Sequence, residues 1–445
     1  MKFMKFGKAL LIGALSAGVI LSVTSCVQSY SVGYLYVTGT ATSQSNGNGI
    51  ISGFKIDHNT GKLTAINGLP VSSGGANPVR AILLNSSRFL YVLNRGVNAN
   101  GNSDCYGTVA PNVCSGANIT QFAVGANGIL TAQQTFYTQG FNPIRMIPDS
   151  GGGYIYVLDH DAPSSAACAS ALGSSVTSCG DITAFQVNST TGRLQLVVNA
   201  QVSSASGAAL PYFPVPANPI DFLMNSGTVL TLNGTPSTGD TVFPYQYSQT
   251  NGQLTVTLNS SDSIGNVNYA TAIVGTSGFV FILDNEAPSG SNPTNAHSQI
   301  LPFTVSGSAL VAETSGPIAD DPTLSNPVYL VLGQPGGKWL YVANQGNNVQ
   351  NSPQSGIAGY TINTPFQPSQ LPGSPFSTGA GPQCLVEDPS NQFFYTANFN
   401  DSTVTGMQVN EQSGGLRPLS DATKAPNSYP LTGQPTWCLV DGRTS

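Results

Sequence analysis

A short motif of the form aromatic-aliphatic-aromatic-aliphatic returns seven times along the 445 residues, and it restricts the possible folds more than any other feature. It reads Tyr34-Leu35-Tyr36-Val37, Phe89-Leu90-Tyr91-Val92, Tyr154-Ile155-Tyr156-Val157, a worn Thr228-Val229-Leu230-Thr231, Phe279-Val280-Phe281-Ile282, Trp339-Leu340-Tyr341-Val342 and Phe393-Phe394-Tyr395-Thr396. Two residues past each copy stands Gly39, Asn94, Asp159, Asn233, Asp284, Asn344 or Asn398. Six of the seven units therefore keep an Asn or Asp where a strand should end. A β-rich unit recurring at intervals of 51 to 74 residues is the mark of a propeller or repeat array.

Each unit has further segments. A second alternating strand follows the motif, as in Ile51–Ile56, Ile119–Val124, Ile182–Val187 and Val404–Val409. Its period-two pattern with β-branched and aromatic residues is that of a half-buried strand. Turns such as Asn59-Thr60-Gly61-Lys62-Leu63 and Thr191-Gly192-Arg193-Leu194 come next, with glycine supplying a positive φ. Before most motifs lies a Pro-led strand, beginning at Pro78, Pro143, Pro219, Pro327 or Pro382. Proline suits the first residue of a strand, where no ladder donor is required.

These pieces make a four-stranded antiparallel blade, and the chain ends indicate how seven blades close. The Tyr34 motif has no Pro-led strand before it, whereas Gln434–Asp441 is a Pro-led strand with no motif after it. Joined, they complete the first blade of an all-β, seven-bladed propeller and remove the exposed sheet edges.

The N-terminus reads as an export signal over residues 1–25. Lys2, Lys5 and Lys8 precede an apolar run from Ala9 to Leu21, and Val23-Thr24-Ser25-Cys26 places small residues before a cysteine, as in bacterial lipoproteins. Cys26 is the expected lipidation site, residues 26–33 a short tether and residues 34–445 the propeller. Val27 after the cysteine favours the outer membrane of a Gram-negative envelope. The six remaining cysteines then divide into Cys105 with Cys114, Cys168 with Cys179, and Cys384 with Cys438, the last pair either bonded or close as thiols across the closure seam.

The net charge of −6 and the 8% of charged residues leave no basic footprint for nucleic acid. No C-x-x-C, His pair at metal spacing, G-x-S-x-G or complete G-x-G-x-x-G occurs, so no metal or cofactor is expected. A monomer that meets the membrane only through its lipid anchor is the expected state.

The YVTG, YVLN, YVAN and YTAN repeats, the Pro-led strands and the Thr-Gly-x-Leu turns together resemble the seven-bladed lactonase family. Its members are similar to bacterial 6-phosphogluconolactonases and muconate-lactonizing propellers. The likeness runs from about Tyr34 to Asp441 and implies hydrolysis of a small acidic sugar lactone. One departure stands out: members commonly place a histidine straight after the Pro of an inner strand, and here that position is Val79, Ile144, Ile220, Val328, Gln383 or Thr436.

Antiparallel order puts the start of each Pro-led strand and the end of each aromatic strand on one face, near the axis. Arg80, Arg145 and Asp221 should gather there with Asn94, Arg95, Asp159, His160, Asp161, Asn233, Asp284, Glu286, Asn344 and Asn398. Arg80 and Arg145, at matching places in adjacent blades, suit a carboxylate or phosphate. Arg80, Asn94, Asp221, Asp284 and Asn344 are the expected ligand-binding group. Lactone hydrolysis needs a base and an oxyanion donor; Asp159 or His160 could be the base and Arg145 the donor. The plainer alternative is that the repeated Asn and Asp cap strand ends. Two classes remain open, an envelope lactonase and a propeller that binds a small anionic ligand or a protein without catalysis.

Overall fold

The computed structural model describes residues 30–41, 48–84, 88–100, 113–204, 206–225, 227–234, 239–256, 261–265, 267, 269–285, 298–307, 309–334, 336–346, 355–363, 366–419 and 427–442. Cys26, Cys105, Glu286, His297 and residues 1–25 lie outside them.

Seven antiparallel sheets stand around one axis. In blade 2 the chain runs Pro78–Leu83, Phe89–Asn94, Asn118–Val124 and Leu130–Phe136, from the axis outward. The same order holds in the blades led by Phe141–Pro148, Pro219–Asn225, Ala270–Gly275, Pro327–Gly333 and Pro382–Glu387. These inner strands contact one another in sequence around the ring. The fifth, Ala270–Gly275, lacks the leading proline, which hides it in the sequence.

Closure is as the chain ends indicate. Gly433–Asp441 pairs antiparallel with Ser31–Ala41, Leu439 opposite Tyr36 and Val440 opposite Leu35, and becomes the inner strand of blade 1. Cys384 and Cys438 are bonded, with Cα atoms 5.8 Å apart, so a disulfide joins the inner strands of the last and first blades.

The aromatic motif welds blades together. Its first residue lies beneath the turn glycine of the next blade: a Cβ on Gly128, Gly192, Gly252, Gly414 or Gly61 would stand 2.3–2.5 Å from the ring of Tyr34, Phe89, Tyr154, Trp339 or Phe393. These glycines have φ of 67 to 75°. The motif's third residue donates its hydroxyl to the same glycine's carbonyl, Tyr36 to Gly128 at 2.8 Å, Tyr91 to Gly192 at 2.5 Å, Tyr156 to Gly252 at 3.1 Å, Tyr341 to Gly414 at 2.7 Å and Tyr395 to Gly61 at 2.6 Å. Buried aromatic area and a satisfied buried hydroxyl thus come from one tetrapeptide.

Two elements break the repeat. Ser165–Leu172 is a helix, with the Ser164 side chain accepting from Ala167 N, and Cys168 in it is bonded to Cys179. The run of alanines with a serine before it is a helix signal that the strand pattern around it obscured. A hairpin of Asn199–Ser203 and Ala209–Leu210 accounts for the longest interval between motifs. Cys114 is disulfide-bonded; the proposed partner, Cys105, is outside the described residues.

Candidate functional site

Every inner strand carries a bulge at the residue after its leading proline, or after Ala270 where the proline is missing. Pro78 pairs with Asn94 and Arg80 with Leu93, which leaves Val79 unpaired. The same shift isolates Ile144, Ile220, Thr271, Val328, Gln383 and Thr436. A bulge bends the strand and re-aims its side chains, and here all seven bulged residues line one cavity of about 290 Å³ on the axis. Before the proline in four blades stands Asn77, Asn142, Asn218 or Asn326 with φ of 50 to 57°, a left-handed turn that asparagine tolerates and that leads into the bulge.

The residues just beyond the bulges give the cavity its chemistry: Arg80, Arg145, Asp221, Tyr329 and Trp437, with Arg95 and Phe399 at its rim. Arg145 Nε lies 2.8 Å from Asp221 Oδ1, as a close ion pair rather than a well-aligned hydrogen bond. Asp221 also accepts from the backbone N–H of Phe222 at 2.8 Å and of Ile273 at 3.1 Å, so both its oxygens are committed. Arg80 lies flat over Trp437, its Cζ 3.4 Å from the ring centroid, and Tyr329 meets Trp437 edge-on at 4.8 Å. Trp437 is held by its own Nε1, which donates to Ala81 O at 3.0 Å.

Arg80 is 8% exposed, and its Nε and Nη1 are buried without a hydrogen-bond partner. Desolvation by burial, then the charge of Arg145, bring its guanidinium down to about 9. The stacked Trp437 returns part of that cost as a cation–π contact. A buried donor set without an acceptor is an anion site in physical terms.

The face expected from the sequence therefore exists, and Arg80, Arg145 and Asp221 meet in it. Asn94, Asp159, Asp284 and Asn344 are buried one step behind it, at the ends of the aromatic motifs' strands. Asn94 Nδ2 donates to Asn118 Oδ1 at 2.9 Å, and Asn94 Oδ1 accepts from Ser73 Oγ at 2.6 Å. Asp284 accepts from Gln299 Nε2 at 2.8 Å, whereas neither Nδ2 nor Oδ1 of the buried Asn344 has a hydrogen-bond partner among the described residues. Asp159 is wholly buried opposite Asp181, and desolvation raises its carboxyl above the usual carboxylate range. His160 is partly exposed beside Asp161, with Nδ1 3.1 Å from its carboxylate. Neither Asp159 nor His160 lines the cavity. Sequence reasoning missed Tyr329 and Trp437, although both stand two residues after the leading proline, as Arg80, Arg145 and Asp221 do.

Residues 329–432 match the family described as Lactonase, 7-bladed beta-propeller. No curated protein matches the sequence. Among solved structures the chain is similar to a putative 6-phosphogluconolactonase from Bacteroides fragilis, with 15% identity and TM-score 0.64, over 92% of this chain and 98% of that one. A putative 6-phosphogluconolactonase from Bacteroides uniformis shares 13% identity at TM-score 0.62, over 92% and 100%. The periplasmic gluconolactonase of Pseudomonas aeruginosa shares 15% at TM-score 0.61, over 92% and 98%. At such identities the likeness is one of fold. The chain is a seven-bladed propeller, and its residues 329–432 match the Lactonase, 7-bladed beta-propeller family model.

Proposed function

We propose that the axial cavity binds a small organic anion, a sugar acid or its lactone, with Arg80 and Arg145 on the anionic group and Trp437 and Tyr329 closing the site around it. The observation that carries this reading is the buried Arg80 guanidinium, whose Nε and Nη1 have no acceptor from the protein. Arg145 is held by Asp221 and acts as the fixed second charge. The protein is further read as an exported lipoprotein anchored at Cys26, a reading in keeping with the disulfides Cys168–Cys179 and Cys384–Cys438.

Calorimetry with gluconate as the reference probe tests the site. Arg80→Ala is expected to lose about 1.5–3 kcal/mol of binding, the worth of a charged hydrogen bond. Affinity should hold below pH 9 and fall as the pH rises through it, because the anion needs Arg80 charged and the free group has been brought down to about 9. Unchanged binding in both Arg80→Ala and Arg145→Ala would move the site elsewhere.

Lactone hydrolysis is the second reading, supported by the lactonase match and by the names of the structural neighbours. Here an arginine would carry the developing oxyanion. Asp221 is a poor base because Arg145 and two backbone N–H groups stabilise its charge. His160, outside the cavity lining but partly exposed, is the base to test first, since Asp159 is fully buried. Turnover of gluconolactone by wild type, lost in His160→Ala with gluconate binding retained, is the expected pattern; binding without turnover in wild type leaves the first reading alone.

A further inference from the structure

In each blade the residue two past the aromatic motif faces the entry of the third strand. The facing pairs are Asn94 with Asn118, Asn233 with Thr241, Asp284 with Gln299, Asn344 with Gly356, Asn398 with Thr403, and Gly39 with Ile50. Blade 3 alone sets two acids opposite each other, Asp159 and Asp181, both with no exposure to solvent. A carboxamide pair supplies its own donor and acceptor, as Asn94 and Asn118 do. Two carboxylates have acceptors only, and need a proton between them.

The surroundings supply little else. The Thr183 hydroxyl stands 3.4 Å from Asp159 Oδ2 and 3.2 Å from Asp181 Oδ1, one donor between two acceptors. Asp159 Oδ1 and Asp181 Oδ2 are buried with no hydrogen-bond partner. Gly140 covers the pair so closely that a Cβ there would stand 2.1 Å from Asp181 Oδ2. The titratable groups that face the pair are Asp161 on the same strand and Tyr212, which Asp181 helps to raise. Thr138 and Gly140, from the segment entering blade 3, bring only a hydroxyl and backbone. His160 is directed at Asp161, and neither Asp159 nor Asp181 has an ion pair among the described residues.

Between the two acids runs the whole excursion 160–180. It holds the helix, the Cys168–Cys179 disulfide and the 2.8 Å bond from Ala162 N to Cys179 O, and it rises on the face that bears the axial cavity. We propose that Asp159 and Asp181 form a one-proton latch: a shared proton joins the two strand ends and holds the excursion down, and its loss sets two buried carboxylates against each other and frees it. Burial raises both groups, and their mutual repulsion adds to it in Asp181. The folded chain keeps a proton that the unfolded chain releases in the ordinary carboxylate range. The latch is therefore strongest in acid and weakens as the pH rises above the ordinary carboxylate range through the raised value of the pair.

Reduction of Cys168–Cys179 by a phosphine reports the opening, because both cysteines are buried. Rates are followed by alkylation and peptide mapping in the full-length protein, and normalised at each pH to the same bond in denatured protein. The wild-type rate is expected to rise about tenfold or more between pH 6 and 9. The Asp159→Asn, Asp181→Asn double variant, which copies the carboxamide pair of blade 2, should stay flat, and Asp181→Asn, which leaves one buried acid facing an amide as at Asp284 and Gln299, should rise less than wild type. A flat wild-type profile overturns the latch whether or not the variants fold, and so does an equal rise in Asp181→Asn.

Discussion

The joint between blades 3 and 4 and the joint between blades 4 and 5 are built from the same kind of strand and are held differently. At the first, Tyr154 lies under Gly252, and Tyr156 donates to the Gly252 carbonyl at 3.1 Å. At the second, the worn motif puts Thr228 and Leu230 where those aromatics would be, and the turn glycine of blade 5, Gly307, has φ of 66° with nothing within 4 Å of a would-be Cβ. What remains is apolar packing around Leu230, Ile273 and Phe303, with side-chain bonds such as Leu310 N to Asp262 at 2.9 Å. The joint between blades 5 and 6 is intermediate: Phe281 has no hydroxyl to donate, and Phe279 stacks on Phe366 with centroids 4.6 Å apart. The aromatic motif is therefore a joint between blades more than a feature of its own strand, and where it decays the joint decays with it.

The largest effect should come from opening the ring at its most strongly fastened place. Deleting 433–445 removes the inner strand of blade 1 together with Cys438, and should abolish cooperative thermal unfolding and cause aggregation, because two sheet edges are exposed. A truncated monomer with an unchanged Tm would overturn the role given to this seam. Replacing Cys384 and Cys438 together by serine leaves the strands in place; loop-closure entropy for a separation of 54 residues puts the loss near 4 kcal/mol, to be read by denaturant unfolding.

A smaller pair of changes tests the two joints against each other. Gly252→Ala combines a positive φ with a Cβ 2.4 Å from the Tyr154 ring, and is expected to cost about 3 kcal/mol or more. Gly307→Ala meets only the backbone penalty, about 1 kcal/mol. Equal costs would show that the close packing at the first joint contributes nothing. Last, Tyr156→Phe leaves the Gly252 carbonyl short of a donor and should lose about 1–2 kcal/mol, measured as a shift of the urea midpoint at constant m.

The repeat was legible in the sequence because it obeys local rules. Alternation, Pro at strand starts and Gly in turns each follow from the backbone of a single blade, and the split first blade follows from counting strands. The inner strand at Ala270 was hidden because its proline is missing, and the helix at Ser165–Leu172 because it lies between two strands of one blade. Arg80, Arg145 and Asp221 were found from their shared offset after proline. Tyr329 and Trp437 share that offset, but as apolar residues on a strand they look like core.

By itself the sequence determined seven blades, their strand order, the closure by the C-terminal strand and the face on which the arginines gather, since each of these depends on patterns along the chain. Only the tertiary structure decided which side chains reach the axis, because a bulge in every inner strand turns the residue after the leading proline, or after Ala270, toward the cavity while the Asn and Asp of the neighbouring strand stay behind it. It also decided what those groups are chemically. Arg80 is a guanidinium on a tryptophan face with Nε and Nη1 unpaired, Arg145 is held in place by Asp221, and Asp159 is half of a buried acid pair. Burial and partners set the charge state of a residue, and both are properties of neighbours that lie far apart in the chain.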